Sequence, residues 1–395
     1  MIITPTEHAT NTGDAESVEL LIREARRKAR RRRLMIGSII FTALIAGPLA
    51  IMVGGDLANS TRPTNHGERS QTTNLPTGRI VTLDVAGSLA VGPNGVLYTA
   101  APDEHRILAR LPDGKFKVVA GTETAGYSGN GEKAIDAELS DPIDLTFNSM
   151  VDLYFVDSGH VRVIKNDGVI ETIVGDGSIS WPLGSHPAAT VADGAPALSA
   201  SFRSDPSIAF GPGGILYIAS DAQLLRLTSA GRLDTIRTHR VSFGKIVGLP
   251  VSLDEGLDTL AAAKDGSLYV SGFNGWAIWH VAPNGAATYV GYDRGSGGTI
   301  PDLVSDPRGA VYAANGGAIV RVTPTGVAKV DKLVKVDGKY FWATNFAFGP
   351  HGTLFVDELP GNLGFEPRQE LVSLRGGRTR VLWTEPKSAA ARHSQ

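Results

Sequence analysis

Short apolar runs recur along the C-terminal three quarters of the chain, and each follows a turn that usually contains glycine. Every run holds an aliphatic residue followed directly by an aromatic one, and successive pairs lie 43 to 63 residues apart. The six pairs are Leu97-Tyr98, Leu153-Tyr154, Leu216-Tyr217, Leu268-Tyr269, Val311-Tyr312 and Leu354-Phe355. A repeat of this length indicates six copies of one structural unit.

A second pattern lies downstream of each of the first five pairs. It is the end of an apolar strand running into a glycine-bearing turn, as in "ARLPDG" at 109–114, "VIKNDG" at 163–168 and "RVTPTG" at 321–326, and another strand follows. Each unit therefore holds about four short strands. Four-stranded units that repeat in this way are typical of propeller blades, which bury both faces of each small sheet by radial stacking. The pattern predicts an all-β, six-bladed β-propeller over residues 78–384, followed by a disordered tail at 385–395.

The sequence leaves two alternatives for how the ring of blades closes. The spare strand "GRIVTLDV" at 78–85 could complete the last blade, and "TRVLW" at 379–383 competes for that position.

The stretch that begins at Gly126 resembles the NHL repeats of bacterial exported proteins. Gly126-Tyr127-Ser128-Gly129-Asn130-Gly131 matches the first half of their Gly-Tyr-Ser-Gly-Asp-Gly-Gly-Pro-Ala motif, although Glu132-Lys133 depart from it. Asp193-Gly194-Ala195-Pro196-Ala197 keeps the second half, and Asp157-Ser158-Gly159-His160 stands where the family has Asp-Ser-Gly-Asn. The resemblance implies a propeller that presents a binding surface, and it names no ligand.

A different pattern precedes the repeats. Residues 23–33 carry eight basic side chains, and the 20 residues 34–53 carry no charge, a length sufficient to cross a bilayer as a helix. We predict a cytoplasmic basic tail (1–33), a single transmembrane helix (34–53), a flexible linker (54–77) and an extracytoplasmic propeller at a bacterial cell membrane. A cleaved signal peptide is the alternative.

Charge and composition narrow the classes of function. The chain has no cysteine, which excludes disulfides and thiolate chemistry. The residues after position 33 carry a net negative charge, so we expect no nucleic-acid partner, because phosphate binding needs concentrated positive charge.

Nearly all long insertions fall in the connections that a propeller places on one face, which we call the loop-rich face. The two largest are Thr122–Asp141 and Gly177–Ser204. Long loops grouped on one face of a rigid scaffold predict a binding surface. The predicted binding residues on this face are Tyr127, Asp157, His160, Trp181, Asn274, Trp276 and Arg294.

Two chemical hypotheses compete with plain binding. Asp157, Ser158 and His160 have the side chains of a nucleophilic triad, but three residues of one short turn cannot converge on a single reacting atom, so we predict a turn. Alternatively, oxygen ligands near the central channel could hold calcium. Its candidate ligands are Asp157, Asn274, Asn315 and Asp357.

The sequence thus favours a binding or scaffold module, without catalytic residues or cofactor, for a protein or a cell-wall glycan. The alternative function is a lactonase-like hydrolase or lyase with a channel metal.

Overall fold

The computed structural model describes most of the predicted propeller. The described residues are 78–84, 86–177, 191–202, 204–220, 223–240, 244–246, 249–251, 257–272, 277–291, 302–315, 318–328, 335–336, 339–360, 369–375 and 378–384. The predicted tail, apolar span, linker and C-terminal tail lie outside these residues. Within them, no helix has the length and apolar character needed to cross a membrane.

Among the described residues, six sheets correspond to the six predicted units, and their strands pair antiparallel except for one parallel pair in blade 4. Blade 1 contains β1 (Ile80–Val81), β2 (Leu89–Val91), β3 (Leu97–Ala101), β4 (Arg106–Arg110) and β5 (Phe116–Ala120). Blade 2 contains β6 (Pro142–Phe147), β7 (Leu153–Asp157), β8 (His160–Ile164) and β9 (Ile170–Val174). Blade 3 contains β10 (Ala195–Pro196), β11 (Ser207–Phe210), β12 (Leu216–Ser220), β13 (Gln223–Leu227) and β14 (Arg232–Thr235).

Blades 4 to 6 repeat this arrangement, and a separate hairpin is inserted before the inner strand of blade 4. Blade 4 contains β15 (His239–Arg240), β18 (Leu257–Ala262), β19 (Leu268–Gly272), β20 (Ala277–Val281) and β21 (Ala286–Gly291), and a separate hairpin, β16 (Gly244–Ile246) and β17 (Leu249–Val251), lies between β15 and β18 in the chain. Blade 5 contains β22 (Leu303–Ser305), β23 (Val311–Asn315), β24 (Ala318–Thr323) and β25 (Gly326–Ala328). Blade 6 contains β26 (Lys335–Val336), β27 (Lys339–Phe348), β28 (Leu354–Pro360), β29 (Glu370–Arg375) and β30 (Arg378–Thr384). The predicted six-bladed propeller is confirmed.

The recurring aliphatic–aromatic pair has a direct packing explanation. Successive side chains of a strand point to opposite faces of the sheet, so the two members of a pair face different neighbours. Leu153 packs at the boundary with blade 1, whereas Tyr154 packs at the boundary with blade 3. Tyr154 meets Phe210 of blade 3 edge to face at 4.8 Å between ring centroids. The pair therefore recurs because each blade must bury both of its faces.

The ring closes by side-chain packing rather than by exchange of a strand. β1 pairs with β5 of its own blade, and β30 pairs with β29 of blade 6, so neither candidate segment crosses between blades. An apolar cluster that includes Leu89 and Leu371 fills the boundary between blades 1 and 6. The backbone of Ala86 exchanges two hydrogen bonds with the Gln369 side chain, and the Trp383 indole donates to the Leu83 carbonyl at 3.1 Å.

Candidate functional site

The loop before blade 2 is held along the outer strand of that blade. The Gly131 N–H donates to the Ile170 carbonyl at 2.8 Å, and the Ile170 N–H donates to the Glu132 carbonyl at 2.9 Å. Further along, Ala134, Ala137 and Leu139 are buried in the cluster between blades 1 and 2. The NHL-like segment is thus part of the folded blade and not a free loop.

A buried ion pair fixes the other end of this loop. Asp157 Oδ1 accepts the N–H groups of Ser140 at 2.8 Å and of Asp141 at 2.9 Å. Arg162 Nη1 lies 3.4 Å from Asp157 Oδ2, and neither side chain is more than 1% exposed. The Arg162 guanidinium also donates to the carbonyl of Ser128 at 2.6 Å and to that of Glu138 at 3.3 Å. One guanidinium therefore ties the loop to blade 2 at two points.

Burial dominates the electrostatics of this pair. It raises the pKa of Asp157, while the Asp141 N–H, the Arg162 charge and the Ser140 N–H oppose the rise. Burial likewise lowers the pKa of Arg162, and the charge of Asp157 opposes that fall. The Asp157 carboxylate has two N–H donors and a partner of opposite charge, so the pair acts in this site as a structural connection.

Tyr127 lies over the same network and remains partly exposed to solvent. Its ring stacks on the His160 imidazole with centroids 4.0 Å apart and planes 9° apart. The Arg162 guanidinium carbon lies 4.8 Å from the Tyr127 ring centroid. The Tyr127 hydroxyl bonds the Thr172 hydroxyl at 2.8 Å, yet 48% of the residue is exposed. The result is an aromatic side chain held in one position on the loop-rich face.

The His160 imidazole, on which the Tyr127 ring stacks, is itself enclosed. It is buried, its Nδ1 lies 3.2 Å from the Asp157 carbonyl oxygen, and burial lowers its pKa. Gly177 lies so close to the imidazole that a β-carbon there would overlap Cε1 of His160. A neutral, enclosed imidazole is suited to stacking.

The segment between β7 and β8 is a tight turn, as predicted. Asp157 and His160 face each other across the two-residue connection Ser158–Gly159, whose φ angles are +47° and +79°. Two positive φ angles are those of a type I′ hairpin turn. The Gly159 N–H donates to Asp205 Oδ1 at 2.8 Å. The geometry is that of a turn and not of a triad.

In its described residues, blade 3 shares the loop path of blade 2 but lacks the buried arginine. Asp193 Oδ1 accepts the Thr235 N–H at 2.8 Å, as Asn130 Oδ1 accepts the Thr172 N–H at 2.6 Å in blade 2. The position of Arg162 is occupied in blade 3 by Leu225. The two half-motifs of the sequence therefore encode the same loop path, and only the first adds the buried arginine and the exposed tyrosine.

The remaining predicted residues are only partly described. Trp181, Asn274, Trp276 and Arg294 lie outside the described residues, and so does the side chain of Asn315 at the end of β23. Asp357 is buried in blade 6, where its Oδ2 accepts Gln369 Nε2 at 2.8 Å. Asp157 and Asp357 thus lie in different blades. Within the described part of the chain, no three His, Asp or Glu residues are placed to share a metal ion.

A central cavity of about 310 Å³ lies where the six inner strands meet. Ser88, Asp144, Asp302, Asp306 and Asn345 are among its polar lining residues, and none of them was predicted from the sequence. The sequence does carry a pattern at these positions, because Asp144 and Asp302 each directly precede the aliphatic residue of an inner-strand segment. The pattern becomes visible only when the six blades are aligned with one another.

Comparison with known proteins finds distant similarities. No protein-family model matches the chain. Teneurin-m of Drosophila melanogaster is 25% identical over 243 residues, which are 58% of this chain and only 8% of that protein. Among solved structures, virginiamycin B lyase from Staphylococcus aureus has a TM-score of 0.46 at 15% identity, covering 78% of this chain and 87% of the lyase. A gluconolactonase from Xanthomonas campestris has a TM-score of 0.45 at 14% identity, covering 73% of this chain and 90% of that enzyme.

Proposed function

We propose that this chain is an NHL-like binding module, anchored in the membrane through residues 34–53, whose loop-rich face binds an extracytoplasmic protein or cell-wall glycan. Its anchoring and orientation rest on the uncharged 20-residue stretch and the basic cluster before it. Its binding role rests on the site around Tyr127.

The observation that carries the proposal is an exposed aromatic ring that is already immobilised. Tyrosine is a frequent interface anchor, because it offers a large contact area with a polar tip. Ordering a side chain on binding costs about 0.5–1.5 kcal/mol, and a side chain already held in place avoids part of this cost. Tyr127 is held by His160, Arg162 and Thr172, so it is preorganised for contact.

The alternative enzyme needs a channel metal, and Asp157 is one of its predicted ligands. Both carboxylate oxygens of Asp157 already accept N–H donors, and the Arg162 guanidinium beside it would repel a cation. Asp157 therefore does not fit a calcium ligand, and we derive no catalytic step through such an ion.

Positional photo-crosslinking in cells tests the binding role. A photoreactive phenylalanine analogue replaces Tyr127 in one full-length variant and Met150 in a control. Met150 lies in the turn between β6 and β7, on the opposite face of the same blade, and is 70% exposed. We expect a discrete adduct at position 127 and none at position 150.

The nature of the adduct separates the two classes of partner. A protein partner gives a band of defined added mass, and a glycan partner gives an adduct sensitive to cell-wall hydrolases. Equal or absent cross-linking at both positions would contradict the proposal, provided that both variants keep the β-rich circular dichroism of the parent chain.

A further inference from the structure

The six inner-strand segments share one polar position. The aligned segments are "SLAV", "DLTF", "SIAF", "TLAA", "DLVS" and "NFAF", starting at residues 88, 144, 207, 259, 302 and 345. In each, a polar residue precedes an aliphatic or aromatic one. The inner strands contact one another around the ring, and four of the six polar residues line the central cavity: Ser88, Asp144, Asp302 and Asn345.

At four of these positions the side chain reaches the backbone of the next blade. Ser88 Oγ accepts the Asp144 N–H at 2.8 Å, and Ser207 Oγ accepts the Leu260 N–H at 3.0 Å. In the same way Asp144 Oδ2 accepts the Ile208 N–H at 2.6 Å, and Asp302 Oδ2 accepts the Phe346 N–H at 3.2 Å. These bonds join blade 1 to 2, 3 to 4, 2 to 3 and 5 to 6.

A serine hydroxyl is therefore sufficient for this bond, which raises the question of what the two carboxyl groups add. A hydroxyl keeps its charge state at every physiological pH, whereas a carboxyl group does not. The Asp144 backbone is also unusual, because its φ of +52° lies in the left-handed region that non-glycine residues rarely adopt. The position is thus held in an uncommon conformation by its surroundings.

The described lining of the cavity offers no positive charge beside the two carboxyl groups. The cavity lining contains Asp306 as a third acid and, among the described residues, no Lys, Arg or His. On the strands that pack against β6 and β22, the other described acids are Asp157, which is paired with Arg162, and Asp258.

The titration of both groups follows from this environment. Burial raises the pKa of Asp144 to about 6. Burial raises the pKa of Asp302 to about 7, and the negative charge of Asp144 adds to that rise. Since the ordinary value is 3.8, the folded protein retains protons that the opened or unfolded chain has lost. The stabilisation is complete below pH 3.8 and is lost as the pH rises through about 6 to 7.

We propose that Asp144 and Asp302 form a proton-dependent latch between blades 2 and 3 and between blades 5 and 6. An ionised carboxylate accepts the backbone N–H more strongly, but its charge is buried in the closed ring and is hydrated when a boundary opens, so ionisation of either group loosens its boundary. The two boundaries lie on opposite sides of the ring. The latch would couple the pH of the surrounding compartment to how tightly the propeller is closed, independently of what its loop-rich face binds.

Amide hydrogen exchange tests the latch on the full-length chain in detergent. The reporters are the amides of Ile208 and Phe346, which donate to the two carboxyl groups, and the Leu260 amide, which donates to a serine hydroxyl, is the internal control. After correction for intrinsic exchange, we expect protection at both reporters to fall at least about tenfold relative to Leu260 between pH 5 and 8.

The second part of the test replaces both acids with serine, the residue at the equivalent positions of blades 1 and 3. In the double variant Asp144→Ser, Asp302→Ser, the ratio of reporter to control protection should no longer depend on pH. The latch would be overturned if the ratio in the parent chain were constant with pH, or if the serine variant kept the same pH dependence. Should the double variant fail to fold, the ratio in the parent chain decides the question alone.

Discussion

The buried arginine of blade 2 gives the most demanding test of the site. Replacing Arg162 by leucine removes three hydrogen bonds, to Asp157 and to the carbonyls of Ser128 and Glu138, and leaves the Asp157 carboxylate buried without its counter-charge. Removing one partner of a buried ion pair typically costs about 3–5 kcal/mol. Because Asp157 keeps the two N–H donors of Ser140 and Asp141, we expect about 3 kcal/mol, near the lower end of that range.

The assay is urea unfolding of the full-length chain in detergent, followed by tryptophan fluorescence. A matched control is Arg226→Leu in the corresponding strand of blade 3, where Arg226 pairs with Asp234 at 3.0 Å but is 53% exposed. An exposed pair of this kind contributes about 0–1 kcal/mol, so the control should unfold at nearly the parent urea concentration.

A double-mutant cycle separates the pair from the packing. The combined variant Arg162→Leu, Asp157→Asn removes both charges, so its cost should be smaller than the sum of the two single costs by at least about 1 kcal/mol. A cost below about 1 kcal/mol for Arg162→Leu, or additive single costs, would show that the pair is not the buried connection described above.

Two further predictions concern the backbone and the ring closure. Gly175 has φ +94°, and a β-carbon there would overlap the Gly159 carbonyl oxygen. Gly175→Ala should therefore lower the urea midpoint more than the control Gly131→Ala, where φ is +84° and no atom lies within 4 Å. Equal effects of the two substitutions would contradict the predicted clash. Trp383→Phe removes the bond to the Leu83 carbonyl and should cost about 1 kcal/mol, with faster amide exchange in blades 1 and 6 only; faster exchange spread evenly over all blades would contradict this account of closure.

The fold was predictable because its signal is local and repeated. Each aliphatic–aromatic pair packs one side chain on the preceding blade and one on the following blade, so every blade repeats the same constraint within a few residues. Ring closure was not predictable, since it depends on contacts between Leu89 and Leu371, which lie far apart in the chain.

The site was only half predictable for a related reason. Tyr127, Asp157 and His160 were predicted as binding residues because they lie in connections of the loop-rich face, and the structure brings all three together. Arg162 was overlooked, because a single arginine in a strand of the sequence gives no sign that it is buried. Its burial depends on carbonyl groups from Ser128 and Glu138, which reach it only after the preceding loop has folded back.

The binding affinity of the Tyr127→Ala variant tests the central claim most directly. With the partner captured by cross-linking, titration of the full-length chain should show affinity falling at least about thirtyfold for Tyr127→Ala, the effect of losing an interface anchor. Tyr127→Phe, which keeps the ring, and Met150→Ala on the opposite face should bind nearly as the parent chain does. An unchanged affinity for a folded Tyr127→Ala variant would contradict the assignment of the loop-rich face as the binding surface.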